Sequence, residues 1–196
     1  MAEQIVITLS KKSVENAIKQ LQKYKTEFHR KLEQFVTELA NAGITVIDSN
    51  MAEAQYKYDE KGIRSGSDTT HNTYVKLNTD KSTAEAKLIV SGKEILFIEF
   101  GAGVYYNDSG VGSSPHPKGE EFGFLIGSYG KGNGQKKVWG YYDDNNNLIL
   151  THGVQATMPV LKAEKRIIED YMGIAKRVFG WLTMNGLTIL KQICIL

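Results

Sequence analysis

The chain has 196 residues, 41% of them hydrophobic and 23% charged, with a formal net charge of +2. That size suits one domain, here 1–196, with a core that needs no disulfide or metal staple, and so small a net charge argues against nucleic acid or an anionic membrane as the main partner. Cys194 is the single cysteine, so neither an internal disulfide nor a thiolate metal site is available, and a reducing cytoplasm is the default compartment. Met1 to Gln4 does not read as a signal peptide, and no apolar run approaches the about 20 residues that span a bilayer.

Ile5 to Leu9 is a short β-type run, after which Ser10 or Ser13 is a candidate helix cap. From Val14 onward Ile18, Leu21, Tyr24, Phe28, Leu32, Phe35, Val36 and Leu39 recur at steps of three and four. This is the stripe of a long amphipathic helix, with lysines, arginines and glutamates between. Asn41 and Gly43 are possible stops, and Ile44-Thr45-Val46-Ile47 reads equally as a strand; a kinked or continuing helix over 10–54 is the preferred reading.

Lys57 to Asp68 reads as a loop. Asn72–Asn78 and Ala84–Val90 alternate as strands, and Ile95–Phe100 reads as a third strand after a turn at Ser91-Gly92, giving an antiparallel meander. Residues 101–134 hold ten of the nineteen glycines and two of the three prolines, too many for regular elements, so 101–136 reads as a loop excursion. Lys137–Tyr142 and Leu148–Leu150 flank a polar tip as a second hairpin. Pro159 opens a second amphipathic helix, 158–178, and the role of 181–196 is left open. The expected fold class is α+β: an antiparallel sheet of about four or five strands within 69–150, packed by the two helices.

No catalytic set stands out. Gly127 to Gly134 lacks the lysine–hydroxyl ending of a phosphate loop and precedes a hairpin rather than a helix. His29, His71, His116 and His152 show no zinc-type spacing; His29 reads as a solvated helix residue. Glu99 is the most interesting carboxylate. As a general acid or base it lacks a surrounding Ser-His-Asp or Cys-His arrangement, so a structural role is preferred: accepting backbone N–H groups of the turn, or pairing with a basic residue. Tyr105, Tyr106, Trp139, Tyr141 and Tyr142 could stack nucleic-acid bases but more often mark core or interface.

The segment Leu96-Phe97-Ile98-Glu99-Phe100-Gly101-Ala102-Gly103 resembles the apolar-x-Glu-Phe-Gly-Thr/Ala-Gly stretch of a minor tail-component or neck protein family of long-tailed bacteriophages. Thr151 to Pro159, with the helix after it, is similar to that family's closing entry to the last helix, where a Met or Phe precedes the proline. The likeness covers most of 10–178, and the Gly/Tyr-rich insertion 104–142 resembles a variant from phages and prophages of Gram-positive bacteria. The resemblance implies a structural virion protein of the neck or tail, assembled in the host bacterial cytoplasm as a homo-oligomeric ring. It implies no enzyme activity, cofactor or metal. The partners would be its own copies, the connector or head-closure protein, the tail terminator and the tail tube. Genomic DNA would pass through with at most non-specific contact, for instance at Lys118, Lys131, Lys136 and Lys137. The candidate interface or structural residues are Glu99, Phe100, Gly101, Gly103, Tyr105, Tyr106, Trp139, His152, Met158 and Pro159. A tail terminator is the near alternative. A metal-dependent hydrolase using Glu99, His116 and His152, or a host-directed binding protein of a prophage, are the alternatives from other classes.

Overall fold

The structure, a computed structural model, describes residues 10–80, 83–103, 105, 114–124 and 136–180. The expected β-run at 5–9, the Gly-rich stretch 127–134 and the segment 181–196 lie outside them.

Helix α1 (Lys11–Glu53) starts at Ser10, whose extended backbone and Oγ, accepting the Ser13 N–H at 3.2 Å, supply the cap. Its 43 residues make a rod of about 65 Å at the usual rise. It passes through Gly43 and the β-branched run without a break. The reason is tertiary: Ile47 and Met51 are fully buried, and a side chain at Gly43 would collide with Leu88 and Ile167, so the helix is held at a close crossing.

After α1 come β1 (Lys57–Tyr58), β2 (Arg64–Ser65), β3 (Asn72–Thr79) and β4 (Ala84–Ser91). A short helix α2 (Ile95–Phe100), β5 (Trp139–Tyr142), β6 (Leu148–Thr151) and α3 (Pro159–Phe179) complete the order. The class is α+β, as expected. The sheet is arranged differently from the expected antiparallel one. A four-stranded sheet has the order β1-β2-β6-β5, with β2 and β6 parallel through Arg64 and Thr151, while β3 and β4 form a separate hairpin in register from Asn72–Ser91 to Thr79–Ala84. The segment 57–68, expected to be a plain loop, contributes two of the four strands. Asp59 makes this possible, its Oδ1 accepting the N–H groups of Lys61 and Ile63 and closing the β1–β2 turn.

Ile95–Phe100 is a helix, not the expected third strand. Glu94 O accepts the N–H groups of Phe97 and Ile98, and Gly101 N–H returns to Phe97 O at 2.8 Å. A strand would send Ile98 and Glu99 to opposite faces. The helix turns Ile95, Ile98 and Glu99 inward together, at i, i+3 and i+4, and leaves Leu96 outside.

Helix α3 lies antiparallel on α1. Lys162 Nζ meets Asn50 Oδ1, Arg177 meets Glu38, and Phe179 packs against Phe28 and Phe35. One core cluster holds Phe35, Leu39, Ile167, Ile174, Ala175 and Val178; the other holds Ile47, Met51, Ala54, Ile98 and Ala163. Leu88 of β4 packs against both, so the hairpin covers the groove between the helices. His71 ties the start of β3 to α1, with Nε2 at 3.0 Å from Asp48 Oδ1 and Nδ1 at 2.7 Å from Thr69 O. His29, expected to be solvated, is half-buried and 3.4 Å from Glu33. Among the described residues no helix is long and apolar enough to cross a membrane.

Two predictions follow from this packing. Gly43→Leu overfills the crossing and should lower the unfolding free energy by about 1–3 kcal/mol in urea titrations. Donation of its Nε2 hydrogen bond to the Asp48 carboxylate holds His71 above its ordinary value of 6.5, against the opposing effect of burial. The pair's contribution is then full below pH 6.5 and is lost as pH rises through the raised value. Asp48→Asn should therefore destabilise at about pH 6 and change little at about pH 9, read from urea midpoints at each pH.

Candidate functional site: a carboxylate-capped helix entry

Helix α3 opens without a cap of its own. Met158 holds a left-handed backbone (φ 53, ψ 52) and offers no side-chain acceptor, and Pro159 at the first position has no N–H. The first donors in need of a partner are Val160 and Leu161. Glu99, delivered by α2, accepts both: Val160 N–H on Oε2 at 2.8 Å and Leu161 N–H on Oε1 at 3.0 Å. A buried carboxylate there is neutralised in part by the positive end of the helix dipole.

His116 completes the cap, with Nε2 3.1 Å from Glu99 Oε1 and both side chains buried. Its Nδ1 accepts the Lys118 N–H at 3.0 Å, so the ring proton sits on Nε2 and is donated to Glu99. The imidazole is held by a closed turn over 114–124. Ser114 N–H bonds Phe124 O and Phe124 N–H bonds Gly119 O, while Ser114 Oγ donates to Phe100 O and accepts the His116 N–H. Phe100 sits at the centre of this turn, stacked on Phe124 at 4.4 Å and edge-on to the His116 ring at 4.6 Å. His116 is therefore a buried partner of Glu99, although its place between Pro115 and Pro117 reads as loop.

The glycines next door fix the approach of the two segments. Ala102 and Val154 exchange both backbone hydrogen bonds at 2.8 Å, and Thr157 N–H reaches Ile98 O at 3.0 Å. Gly101 and Gly103 have φ of +80 and +85, and a side chain at Gly153 would run into the Ala102 carbonyl. Trp139 lies over Gly103, its Nε1 3.0 Å from where a Cβ would stand.

His152 belongs to a neighbouring set. Its backbone N–H bonds Arg64 O, Nδ1 meets Lys137 O at 3.0 Å, Nε2 meets Asp59 Oδ2 at 3.0 Å, and its ring lies 4.2 Å from that of Tyr105. The His152 hydrogen bond, with the Ile63 and Lys61 N–H groups, holds the Asp59 carboxyl below its ordinary value. Tyr106 lies outside the described residues.

Sequence reasoning passed over Arg64, Glu94 and Asp59. The Arg64 guanidinium stacks on Tyr56 at 4.2 Å and on Tyr141 at 5.4 Å, bracing the sheet from both ends. Glu94 accepts Ser67 Oγ at 2.6 Å and Asp68 N–H at 2.9 Å. Burial, then the nearby Glu94 charge, pushes the Tyr56 hydroxyl up. The partners that give these residues their place lie far off in the chain: His152 for Asp59, Tyr141 for Arg64, and Ser67 and Asp68 for Glu94.

The chemistry open to this arrangement is narrow. Both Glu99 oxygens are engaged, and both ring nitrogens of His116 and of His152 are committed to partners. Among the described residues no three His, Cys, Asp or Glu side chains are grouped to hold a metal ion. Glu99 and His116 come together, but His152 pairs with Asp59 instead of joining them, which corrects the three-residue metal-site alternative. No family model, curated protein or solved structure matches the chain.

Glu99→Gln replaces one acceptor by a donor facing the first turn of α3, leaving a buried N–H unpaired, and should cost about 1–3 kcal/mol in chemical denaturation. An unchanged midpoint would show that α3 does not depend on the carboxylate.

Proposed function

We propose that the chain is a structural protein of the virion neck or tail of a long-tailed bacteriophage, working by association into a ring that joins the head connector to the tail tube. The observation that carries this reading is that the two motif segments resembling that family are one structural unit. Glu99 from the first caps the helix opened by Met158-Pro159 of the second, and Ala102 and Val154 zip the two together. The residues that carry the likeness are thus those that build the fold, with both Glu99 oxygens spent on the entry to α3.

The surface supports association as well. Tyr142 pairs with Leu148 and Gly140 with Leu150 across β5 and β6, putting Tyr142, Leu148 and Leu150 on one exposed face of the sheet. Further apolar side chains stand exposed at Leu96 and Phe122. Large apolar side chains grouped on one exposed sheet face are of the kind that marks protein contacts. The partners on this reading are other copies of the chain and the neighbouring neck and tail proteins, with DNA passing through the ring.

The test is made on particles. Mass spectrometry of purified virions should find the chain at several copies per particle, and its deletion should leave filled heads and tails unjoined in electron micrographs. Infectious particles built normally without it would overturn the reading.

A further inference from the structure

The formal charge of +2 hides an uneven distribution along α1. Between Lys11 and Lys31 the helix carries seven lysines and arginines against two glutamates; from Leu32 to Glu53 it carries four acidic residues and no basic one. The acidic half is used inside the chain: Glu33 meets His29, Glu38 meets Arg177 and Asp48 meets His71. The basic half is not. Among the described residues Lys12, Lys19 and Lys23 form no ion pair, and all three are exposed.

These lysines are aligned. Lys12, Lys19, Lys23 and Arg30 follow at steps of seven, four and seven, which places them within about 40° of one another around the helix, in a row about 27 Å long. Arg30 is held by Glu27, with its Nη2 at 2.6 Å and its Nε at 3.1 Å from the carboxylate, so three free cations remain. Phe28 and Phe35, which meet Phe179 of α3, lie on the other side of the helix. Asn16 stands within the row, Glu15 flanks it, and no apolar side chain interrupts it. Local helix energetics work against this arrangement. Lys12 falls in the first turn, where the helix dipole disfavours cations, and Lys19 and Lys23 repel at a spacing of four. Both costs are relieved when an anion lies along the row.

We propose that this face of α1 binds the phosphate backbone of double-stranded nucleic acid, without regard to base sequence. A duplex presents one negative charge for about every 1.7 Å of its axis, so about 16 lie along the length of the row. Cations strung along a straight rod match such a linear polyanion, and the Asn16 amide adds a donor of the kind that bonds phosphate oxygens. A membrane surface is the poorer fit. A helix lying among lipid headgroups buries its apolar face there, whereas α1 has Ala17 buried and Phe28 packed against Phe179 on its apolar side.

The test is fluorescence anisotropy of a labelled duplex of about 30 base pairs with the full chain, at about 50 and about 150 mM NaCl. Three lysine–phosphate contacts give a slope of about −2.7 in log K against log salt, so binding should be about twentyfold weaker at the higher salt. The double variant Lys19→Ala with Lys23→Ala should bind about tenfold more weakly at the lower salt and lose about 2 from that slope. Alanine favours the helix at both positions, so the fold is kept, and circular dichroism checks it. Lys57→Ala with Lys76→Ala removes the same charge from β1 and β3 and should leave the affinity within about twofold. Absence of duplex binding at the lower salt overturns the proposal, and so do equal losses in the two double variants. Tighter binding to vesicles containing phosphatidylserine than to the duplex overturns it as well and would assign the row to a membrane. The duplex and particle experiments have independent outcomes, because the charge of the row does not depend on the virion reading.

Discussion

The Glu99 carboxylate stands where three parts of the chain converge: α2 that carries it, the first turn of α3 that donates to it, and the 114–124 turn that brings His116 onto it. A helix that opens on a left-handed Met158 and a proline has given up the usual local devices for satisfying its first donors. Those donors must be met from elsewhere, and a charged acceptor in a dry site meets them most strongly. The remaining features follow as requirements. Gly101, Gly103 and Gly153 let the backbones close to hydrogen-bonding distance, and the Phe100 cluster seals the carboxylate from water.

Once α3 is pinned at its start, its register on α1 is set. Ile167 lies over Gly43, Tyr171 against Phe35 and Phe179 against Phe28, so the two core clusters share one long helix as backing. The β3–β4 hairpin is held to this pair by Leu88 and by the His71–Asp48 contact, and the four-stranded sheet by the Ala102–Val154 bridge next to the cap. The site and the fold are thus the same set of contacts.

Much of this was legible in the sequence where the signal was local and repeated. The three-and-four spacing from Val14 to Leu39 gave α1, and Pro159 with the apolar residues after it gave α3. Alternation marked β3 and β4, and the polar tip between two short runs marked the β5–β6 hairpin. Ile95–Phe100 was not legible, because so short a run, five apolar residues and Glu99, fits a buried strand and a buried helix equally well, and only the need to aim Ile98 and Glu99 the same way separates them. The parallel pairing of β2 with β6 joins Arg64 to the distant Thr151, and no pattern in either short strand specifies it. Glu99 stands out in the sequence as a carboxylate ending an apolar run, but its donors lie 61 and 62 positions away and its histidine sits in a segment whose composition suggests only a loop.

The separation of α1 from α3 has a bearing on how the chain is made. Phe35 and the residue that covers its neighbourhood, Ile167, are about 130 positions apart, which at ribosomal speed is a delay of about 6–26 s. Throughout that interval the nascent polypeptide carries a greasy rod whose natural cover does not yet exist. Until α3 emerges the first core cluster cannot close, so the order of synthesis itself sets how long that stripe stays open to non-native contacts.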